Sequence, residues 1–138
     1  MNIEVNNMAV LLATGSSMLV GAIWYSPYVL GKQWMKLTGV TPEKMREGGN
    51  KGMLAALARS LVMAYVLAHI VFLTHSFYQN SLIGDALTTG LWIFFGFTGF
   101  TIFMHDIFEG RKTKLSLING AHEFVTIMVM AAVIGIFG

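Results

Sequence analysis

Six polar side chains lie within or at the ends of apolar stretches of this 138-residue chain, and their types allow proton exchange or ion pairing. They are Arg59, His105, Asp106, Asn119, His122 and Glu123. Glu123 and His122 are adjacent titratable groups that could exchange protons, with energetics set by hydration and by the charge of Arg59. The structural alternative is an ion pair between Arg59 and Glu123, with the histidines as hydrogen-bonding links between helices. The sequence leaves both interpretations open.

Four long apolar runs carry these side chains, at about residues 8–25, 53–73, 86–104 and 115–137. Each is close in length to the roughly 20 apolar residues that cross a bilayer as a helix. The composition agrees, because 55% of the residues are hydrophobic, 12% are charged and the mean hydropathy is +0.65, whereas about a quarter of a soluble domain is charged. We therefore predict an all-α fold, one integral membrane four-helix bundle that covers residues 1–138.

The Lys and Arg residues indicate the orientation of this bundle. All nine lie within residues 32–59 and 111–114, whereas the connection at 76–85 has none. Because cytoplasmic loops are enriched in these residues, both termini are expected on the non-cytoplasmic side of the cell membrane. The net charge of +2 arises from residues that flank membrane segments and form no basic domain. We therefore expect no nucleic-acid partner.

This orientation places the polar side chains in the cytoplasmic half of the bundle. Arg59 lies roughly 9 Å, and Glu123 roughly 12 Å, along their helices from that side, at about 1.5 Å per residue. His105 and Asp106 end the third helix on the same side. A charge at such depth costs several kcal/mol unless it is paired, hydrated or neutralised. We therefore expect the six polar side chains to gather in one cluster.

Small residues recur at every fourth position in the first two helices. The positions are Ala9, Ala13, Ser17 and Gly21 in the first helix, and Gly52, Ala56, Ser60, Ala64 and Ala68 in the second. Such faces allow backbones to approach closely, so we predict tight packing of these two helices, or of one helix with a copy in a homo-oligomer. In the third helix, Thr89, Gly96, Gly99 and Asp106 fall on one face that is predicted to contact another helix.

The first connection carries aromatic and basic residues typical of a membrane interface. Leu30, Trp34 and Leu37 are spaced at i, i+4 and i+7, and Lys32 and Lys36 share the opposite side. This pattern predicts a short interfacial helix between helices one and two. The possible lipid-interface contacts are Trp24, Tyr25, Lys32, Trp34, Lys36 and Arg111.

The histidines give no metal-binding pattern. His69 and His75 are six residues apart, whereas metal-binding pairs on one helical face are three or four apart. The chain has no cysteine, which excludes disulfides and thiolate ligands. No phosphate-binding loop, nucleophile elbow or metalloprotease motif occurs in the sequence. We therefore expect neither an enzyme nor a cofactor, and we interpret His75 as an ordinary interfacial residue.

Three short motifs carry a family resemblance. They are Trp24-Tyr25-Ser26-Pro27, Gly31-Lys32-Gln33-Trp34-Met35 and Phe108-Glu109-Gly110-Arg111. With them, the chain resembles over nearly its whole length the membrane family catalogued as domain of unknown function 1761. The resemblance implies a small multi-pass membrane protein and supplies no established activity, so it assigns no catalytic or ligand residues. Four short helices are also similar to the small multidrug-resistance exporters, but the membrane-embedded Glu of their first helix has no counterpart between Met8 and Trp24.

Three functions remain open at this point. The first is a nonenzymatic bundle that self-associates, with the lipid bilayer and further copies of the chain as partners. The second is a small proton-linked transporter or channel that uses the six polar residues in the cytoplasmic half. The third is lipid binding at the inner leaflet through Lys32, Trp34, Lys36 and Arg111.

Overall fold

Seven α-helices and one π-helical segment make up residues 4–138, the part of the chain that the computed structural model describes. In chain order they are α1 (Asn7–Trp24), α2 (Gly31–Thr38), α3 (Pro42–Glu47), α4 (Lys51–Tyr78), α5 (Leu82–Ile93), the π-helical segment (Phe94–Gly99), α6 (Phe100–Phe108) and α7 (Thr113–Phe137). The helix α5, the π-helical segment and α6 run on as one long helix, Leu82–Phe108. The first three residues of the predicted domain lie outside the described part.

Four helices are long and apolar enough to cross a membrane: α1, α4, Leu82–Phe108 and α7. This confirms the all-α class and agrees with the prediction of four apolar helices long enough to cross a membrane. Their 18 to 28 residues correspond to about 27 to 42 Å at a rise of about 1.5 Å per residue, against a hydrocarbon core about 30 Å thick. The helix α4 continues to Tyr78, beyond the predicted end at residue 73, and stops where Gln79 takes a left-handed conformation with φ 55°.

Two short helices fill the connection between α1 and α4. The helix α2 covers the predicted amphipathic segment and ends at Gly39, whose φ of 71° suits a residue without a side chain. Its position at a membrane surface stays a prediction. In α3 the Thr41 hydroxyl accepts a hydrogen bond from the Lys44 backbone N–H at 3.3 Å, and Pro42 takes a position where its missing N–H costs nothing. The backbone of Glu43 and the Thr41 hydroxyl hold the pKa of the exposed Glu43 carboxyl below its usual range.

The small-residue faces of α1 and α4 pack on each other within one chain. Ala13 and Ala64 are fully buried, and the hydroxyls of Ser17 and Ser60 lie 2.9 Å apart across the contact. A separation this short requires small side chains on both helices, because larger ones would hold the backbones apart. Of the two alternatives for these faces, the structure shows the contact between the first two long helices. The first members of the α4 series, such as Gly52, remain exposed.

The last helix, α7, lies against every other long helix and has more buried residues than any of them. It approaches α5 closely at Gly135, where an added Cβ would lie 2.7 Å from the Ile83 Cα atom. One turn before Gly135 on α7, the Ala131 Cβ atom lies 3.1 Å from the position of a Cβ added at Gly90 of α5. The two backbones therefore meet where both helices present small residues.

The π-helical segment changes the face that the third long helix turns inward. Thr89, Gly99 and Asp106 are buried as expected, but Gly96 is exposed and has no atom near the position of a Cβ. The ring of Phe94 is buried instead and lies against Gly99. The prediction of a single face was wrong at Gly96, because the wider turns of a π-helix shift the phase of the residues that follow.

Candidate functional site

A cavity of about 330 Å³ opens among the end of α1, the helix α6 and the first turns of α7. Its wall is formed by Tyr25, Thr101, Ile102, His105, Asp106, Glu109, Arg111, Asn119, His122 and Glu123. The cavity lies at the end of the protein that carries the Lys- and Arg-rich connections, hereafter the basic end. Five of the six polar residues expected to cluster line this one space. Helical spacing places Asn119, His122 and Glu123 together on α7, and α6 supplies His105 and Asp106.

The sixth residue, Arg59, stands behind the cavity wall. Its guanidinium donates a hydrogen bond to Glu123 Oε1 and forms an ion pair with it. The Glu123 side chain is 9% exposed, whereas the Arg59 side chain is 50% exposed. On its other side Arg59 borders an apolar groove of about 660 Å³ between α4 and the third long helix. The ion pair therefore separates a polar cavity from an apolar groove.

A second ion-pair group closes the opposite wall. The Arg111 Nε atom lies 2.6 Å from Glu109 Oε2 and 3.5 Å from Asp106 Oδ1. The tight turn that allows this passes through Gly110, which has φ 66°. The other Asp106 oxygen, Oδ2, is buried and has no hydrogen-bond partner among residues 4–138. A buried carboxylate oxygen without a partner is costly, so it destabilises this turn.

Aromatic side chains at the end of α1 complete the site around His122. The His122 ring lies 4.9 Å from the Tyr25 ring and 6.1 Å from the Trp24 ring. The Tyr25 hydroxyl donates to Asn119 Oδ1 at 3.0 Å, and the Trp24 indole donates to the Ile118 carbonyl at 3.2 Å. Tyr25 lies one residue beyond α1, where burial, and to a smaller extent Glu123, raises the pKa of its hydroxyl to about 12. The hydroxyl therefore stays protonated and available as a donor.

The set of predicted lipid-interface residues is divided by the structure. Tyr25 and Arg111 line the cavity, Trp24 bonds to α7, and the Trp34 ring packs edge-on against Tyr25 at 5.6 Å. Lys32 and Lys36 are exposed on α2. Sequence reasoning treated the aromatic residues and Arg111 only as interface anchors, although the same Trp-Tyr pair and the Glu-Gly-Arg turn position the polar site.

The cavity is closed toward the opposite end of the protein. The largest fully buried side chains, Val71, Thr126, Ile127 and Met130, lie beyond it. The Thr126 hydroxyl is 3.4 Å from His122 Nε2, and further along α7 the buried side chains are apolar. The arrangement places titratable and hydrogen-bonding side chains around one open cavity at the basic end. Within residues 4–138, no three His, Asp or Glu side chains are grouped to hold a metal ion.

A second polar group lies at the other end and was not identified from the sequence. His75 Nδ1 is 2.9 Å from Asp85 Oδ2, and Asn80 Nδ2 donates to Asp85 Oδ1 at 2.9 Å. Asp85 is 3% exposed, so His75 joins α4 to α5 and is more than an ordinary interfacial residue. An acid in the first turn after the Ser81 cap, at the start of an apolar helix, was the available signal.

Comparison with known proteins identifies the family alone. No curated protein and no solved structure matches the chain at a significant level. A family model described as "Protein of unknown function (DUF1761)" matches residues 8–135. That match includes α1 to α6 and nearly all of α7, and it therefore covers the residues of the polar cavity. The chain thus belongs to this family of proteins of unknown function, as its Trp-Tyr-Ser-Pro and Gly-Lys-x-Trp motifs predicted.

Proposed function

We propose that this protein is a nonenzymatic multi-pass protein of the cell membrane that binds a small polar solute in its polar cavity and moves it with protons. The observation that carries this proposal is the composition of the cavity wall. Two carboxylates, those of Asp106 and Glu123, and the imidazoles of His105 and His122 belong to membrane-spanning helices and line one space of about 330 Å³. Ionisable groups at membrane depth are rare, and they usually mark a solute or proton pathway.

A purely structural role explains only part of this site. The ion pair between Arg59 and Glu123 links α4 to α7, as a structural role requires. Glu123 and His122 also line the open polar cavity at the basic end, which helix linkage alone does not require.

The half-exposed Arg59 side chain gives Glu123 an exchangeable partner. Long basic side chains can carry their charge toward the membrane surface while the stem stays in apolar surroundings. If Arg59 withdraws, Glu123 is free to take a proton or a solute from the cavity, and His122 Nδ1 stands 4.0 Å from Glu123 Oε2. Transport further requires a rearrangement, because the buried core beyond Ile127 closes the route to the other end. A permanently open channel is disfavoured for the same reason.

The basic end faces the cytoplasm in this proposal. Its support is the asymmetry of Lys and Arg among the connections, because cytoplasmic loops are enriched in these residues. The cavity would then fill from the cytoplasmic side, and the ends of α4 and α7 near Tyr78 and Phe137 would face away from it.

Single cysteines in this cysteine-free chain test the proposal. N119C lies in the cavity, while K36C on α2 and N7C at the start of α1 replace exposed polar residues and are the controls for the two sides. A membrane-impermeant maleimide applied to sealed vesicles of known sidedness should label K36C from the cytoplasmic side alone and N7C from the other side alone. A transporter exposes its site to both sides in turn, so N119C should react from both, faster from the cytoplasmic side. Labelling from the cytoplasmic side alone would leave a binding site without transport and contradict the proposal.

Self-association is a separate part of the proposal. The small-residue faces of α1 and α4 are buried against each other, so copies would meet through another surface. The exposed aromatic side chains of the third long helix, including Trp92, Phe97 and Phe100, offer one. Light scattering of the protein in mild detergent measures the oligomeric mass, and a monomer at every concentration would refute this part. Inner-leaflet lipid binding has less support, because Arg111 is already paired with Glu109 and Asp106.

A further inference from the structure

The outward side of α4 carries two polar side chains at membrane depth. Tyr65 is exposed and lies at the midpoint of this helix, about 20 Å from either end at about 1.5 Å per residue. His69 follows one turn later and is partly exposed. Both belong to a helix that is long and apolar enough to cross a membrane. Because the hydrocarbon core offers no water, polar atoms at this depth need partners from protein.

Each of these two residues has one polar atom that its own chain does not pair. His69 Nδ1 lies 2.7 Å from the Tyr65 carbonyl oxygen, so Nδ1 carries the hydrogen and Nε2 of the uncharged ring is an acceptor. The Tyr65 hydroxyl is a donor, and the two rings lie 4.2 Å apart, which keeps both polar ends within about one turn of the helix. None of the hydrogen bonds that the structure shows among residues 4–138 involves the Tyr65 hydroxyl or His69 Nε2.

A second copy of the chain supplies the partners that both atoms need. Copies inserted in the same orientation are parallel, so a twofold axis along the membrane normal places equal residues at equal depth. The Tyr65 hydroxyl of each copy can then donate to His69 Nε2 of the other copy, and the contact satisfies one donor and one acceptor on each side. Lipid tails offer neither a donor nor an acceptor, whereas histidine commonly bonds across membrane helices.

The shape of this side of α4 also fits a second helix. Ala58, Val62, Tyr65 and His69 form a stripe with spacings of four, three and four residues, the pattern by which parallel helices contact each other. Grooves of about 660 Å³ and 430 Å³ border the stripe on its two sides. They leave room for the side chains of a facing helix, since helices pack with the ridges of one in the grooves of the other.

We propose that two copies of this chain associate through the stripe Ala58, Val62, Tyr65 and His69, hereafter the α4 seam, with reciprocal hydrogen bonds between Tyr65 and His69. This inference rests on the self-association part of the proposed function and names its surface. The aromatic side chains of the third long helix are the alternative surface. Side chains there such as Phe100 carry no polar atom, so lipid tails cover them equally well.

Single cysteines in the cysteine-free chain locate the contact. V62C lies on the α4 seam and F100C lies on the third long helix, and both replace exposed apolar residues. In vesicles that hold the whole protein at low density, copper phenanthroline should link V62C into a disulfide-bonded dimer at least fivefold faster than F100C. Equal or faster linking of F100C would overturn the α4 seam, while self-association itself would stand.

A matched pair of variants tests the hydrogen bonds. Y65F removes one hydroxyl from the α4 seam, and Y78F removes one from the end of the same helix; both tyrosines are 52% exposed. Energy transfer between copies labelled at K36C, measured over a range of protein-to-lipid ratios, gives the dissociation constant of the dimer. Y65F should weaken the dimer roughly tenfold, because twofold symmetry removes two interhelical hydrogen bonds at once, and Y78F should leave it unchanged.

The possible failures of this inference are distinguishable from those of the proposed function. Circular dichroism shows whether Y65F is folded, and a wild-type dissociation constant in folded Y65F would overturn the α4 seam alone. Absence of energy transfer in the unsubstituted protein would overturn the seam and self-association together. Neither result bears on transport, which the labelling of N119C tests independently.

Discussion

Replacing Arg59 should destabilise the protein more than replacing Glu123, although the two residues form one ion pair. The reason is their unequal burial, with exposed side-chain fractions of 50% for Arg59 and 9% for Glu123. Without Glu123, the half-exposed Arg59 side chain can carry its charge toward the membrane surface while its stem stays in apolar surroundings. Without Arg59, the Glu123 carboxylate stays buried beside His122 with no cation.

The expected magnitudes follow from this asymmetry. R59Q leaves an unpaired buried carboxylate, and breaking a buried pair in this way costs about 3 kcal/mol at the lower end of the usual range. E123Q loses mainly a hydrogen bond within the membrane, which is worth about 1 kcal/mol. The double variant R59Q/E123Q leaves no buried charge, so its loss should be about 2 kcal/mol. That is about 2 kcal/mol less than the sum of the single losses, a coupling in the range expected for residues in contact.

Reversible unfolding in mixed detergent micelles, followed by far-ultraviolet circular dichroism, measures these free energies. K36Q is the control for loss of a basic side chain, because Lys36 is exposed on α2, and its effect should stay within about 0.5 kcal/mol. Equal losses for R59Q and E123Q would refute the argument from burial. A double-variant loss equal to the sum of the single losses would show that the pair contributes no coupling.

Three further predictions concern other parts of the fold. G135A should lower the free energy of unfolding by about 1–3 kcal/mol, because its new methyl group would lie 2.7 Å from a backbone carbon of α5. The control G15A has no atom near the new Cβ, so it should leave the free energy of unfolding unchanged or raise it by up to about 1 kcal/mol. D85N should lower the free energy of unfolding by about 1–3 kcal/mol, because it weakens the hydrogen bond between His75 and the buried Asp85 side chain. The unfolding assay described above measures the effects of G135A and D85N. A reporter that is active only in the cytoplasm should be inactive when fused to the carboxyl terminus, and strong activity there would refute the proposed orientation.

The membrane class and the positions of the four long helices could be read from the sequence because hydrophobic length is a local property. The residues at which these helices begin and end could not be read from the sequence. The predicted run covers residues 86–104, whereas the helix spans Leu82–Phe108. Polar residues outside the apolar run extend the helix at both ends, Asp85 at its start and His105 at its end. Helix ends depend on caps, and here the Ser81 hydroxyl accepts from the Gly84 N–H at the start of α5.

The polar site was partly predictable for a related reason. Helical periodicity places Asn119, His122 and Glu123 on one face of α7, and the alternation of four helices brings Asp106 to the same end. Periodicity does not reveal which residues of the connecting turns fold back. Tyr25 and Arg111 therefore joined the cavity wall without having been expected there.

The sequence by itself determined the family, the number of membrane segments and the set of polar residues that share one end, because motifs, hydrophobic length and spacing are written along the chain. Only the tertiary structure decided which of these residues meet. It paired Arg59 with Glu123, left Asp106 Oδ2 without a partner and turned Gly96 outward through a π-helical segment. Such choices depend on how helices separated by dozens of residues rotate and pack against each other, and side-chain volume across those contacts fixes that rotation.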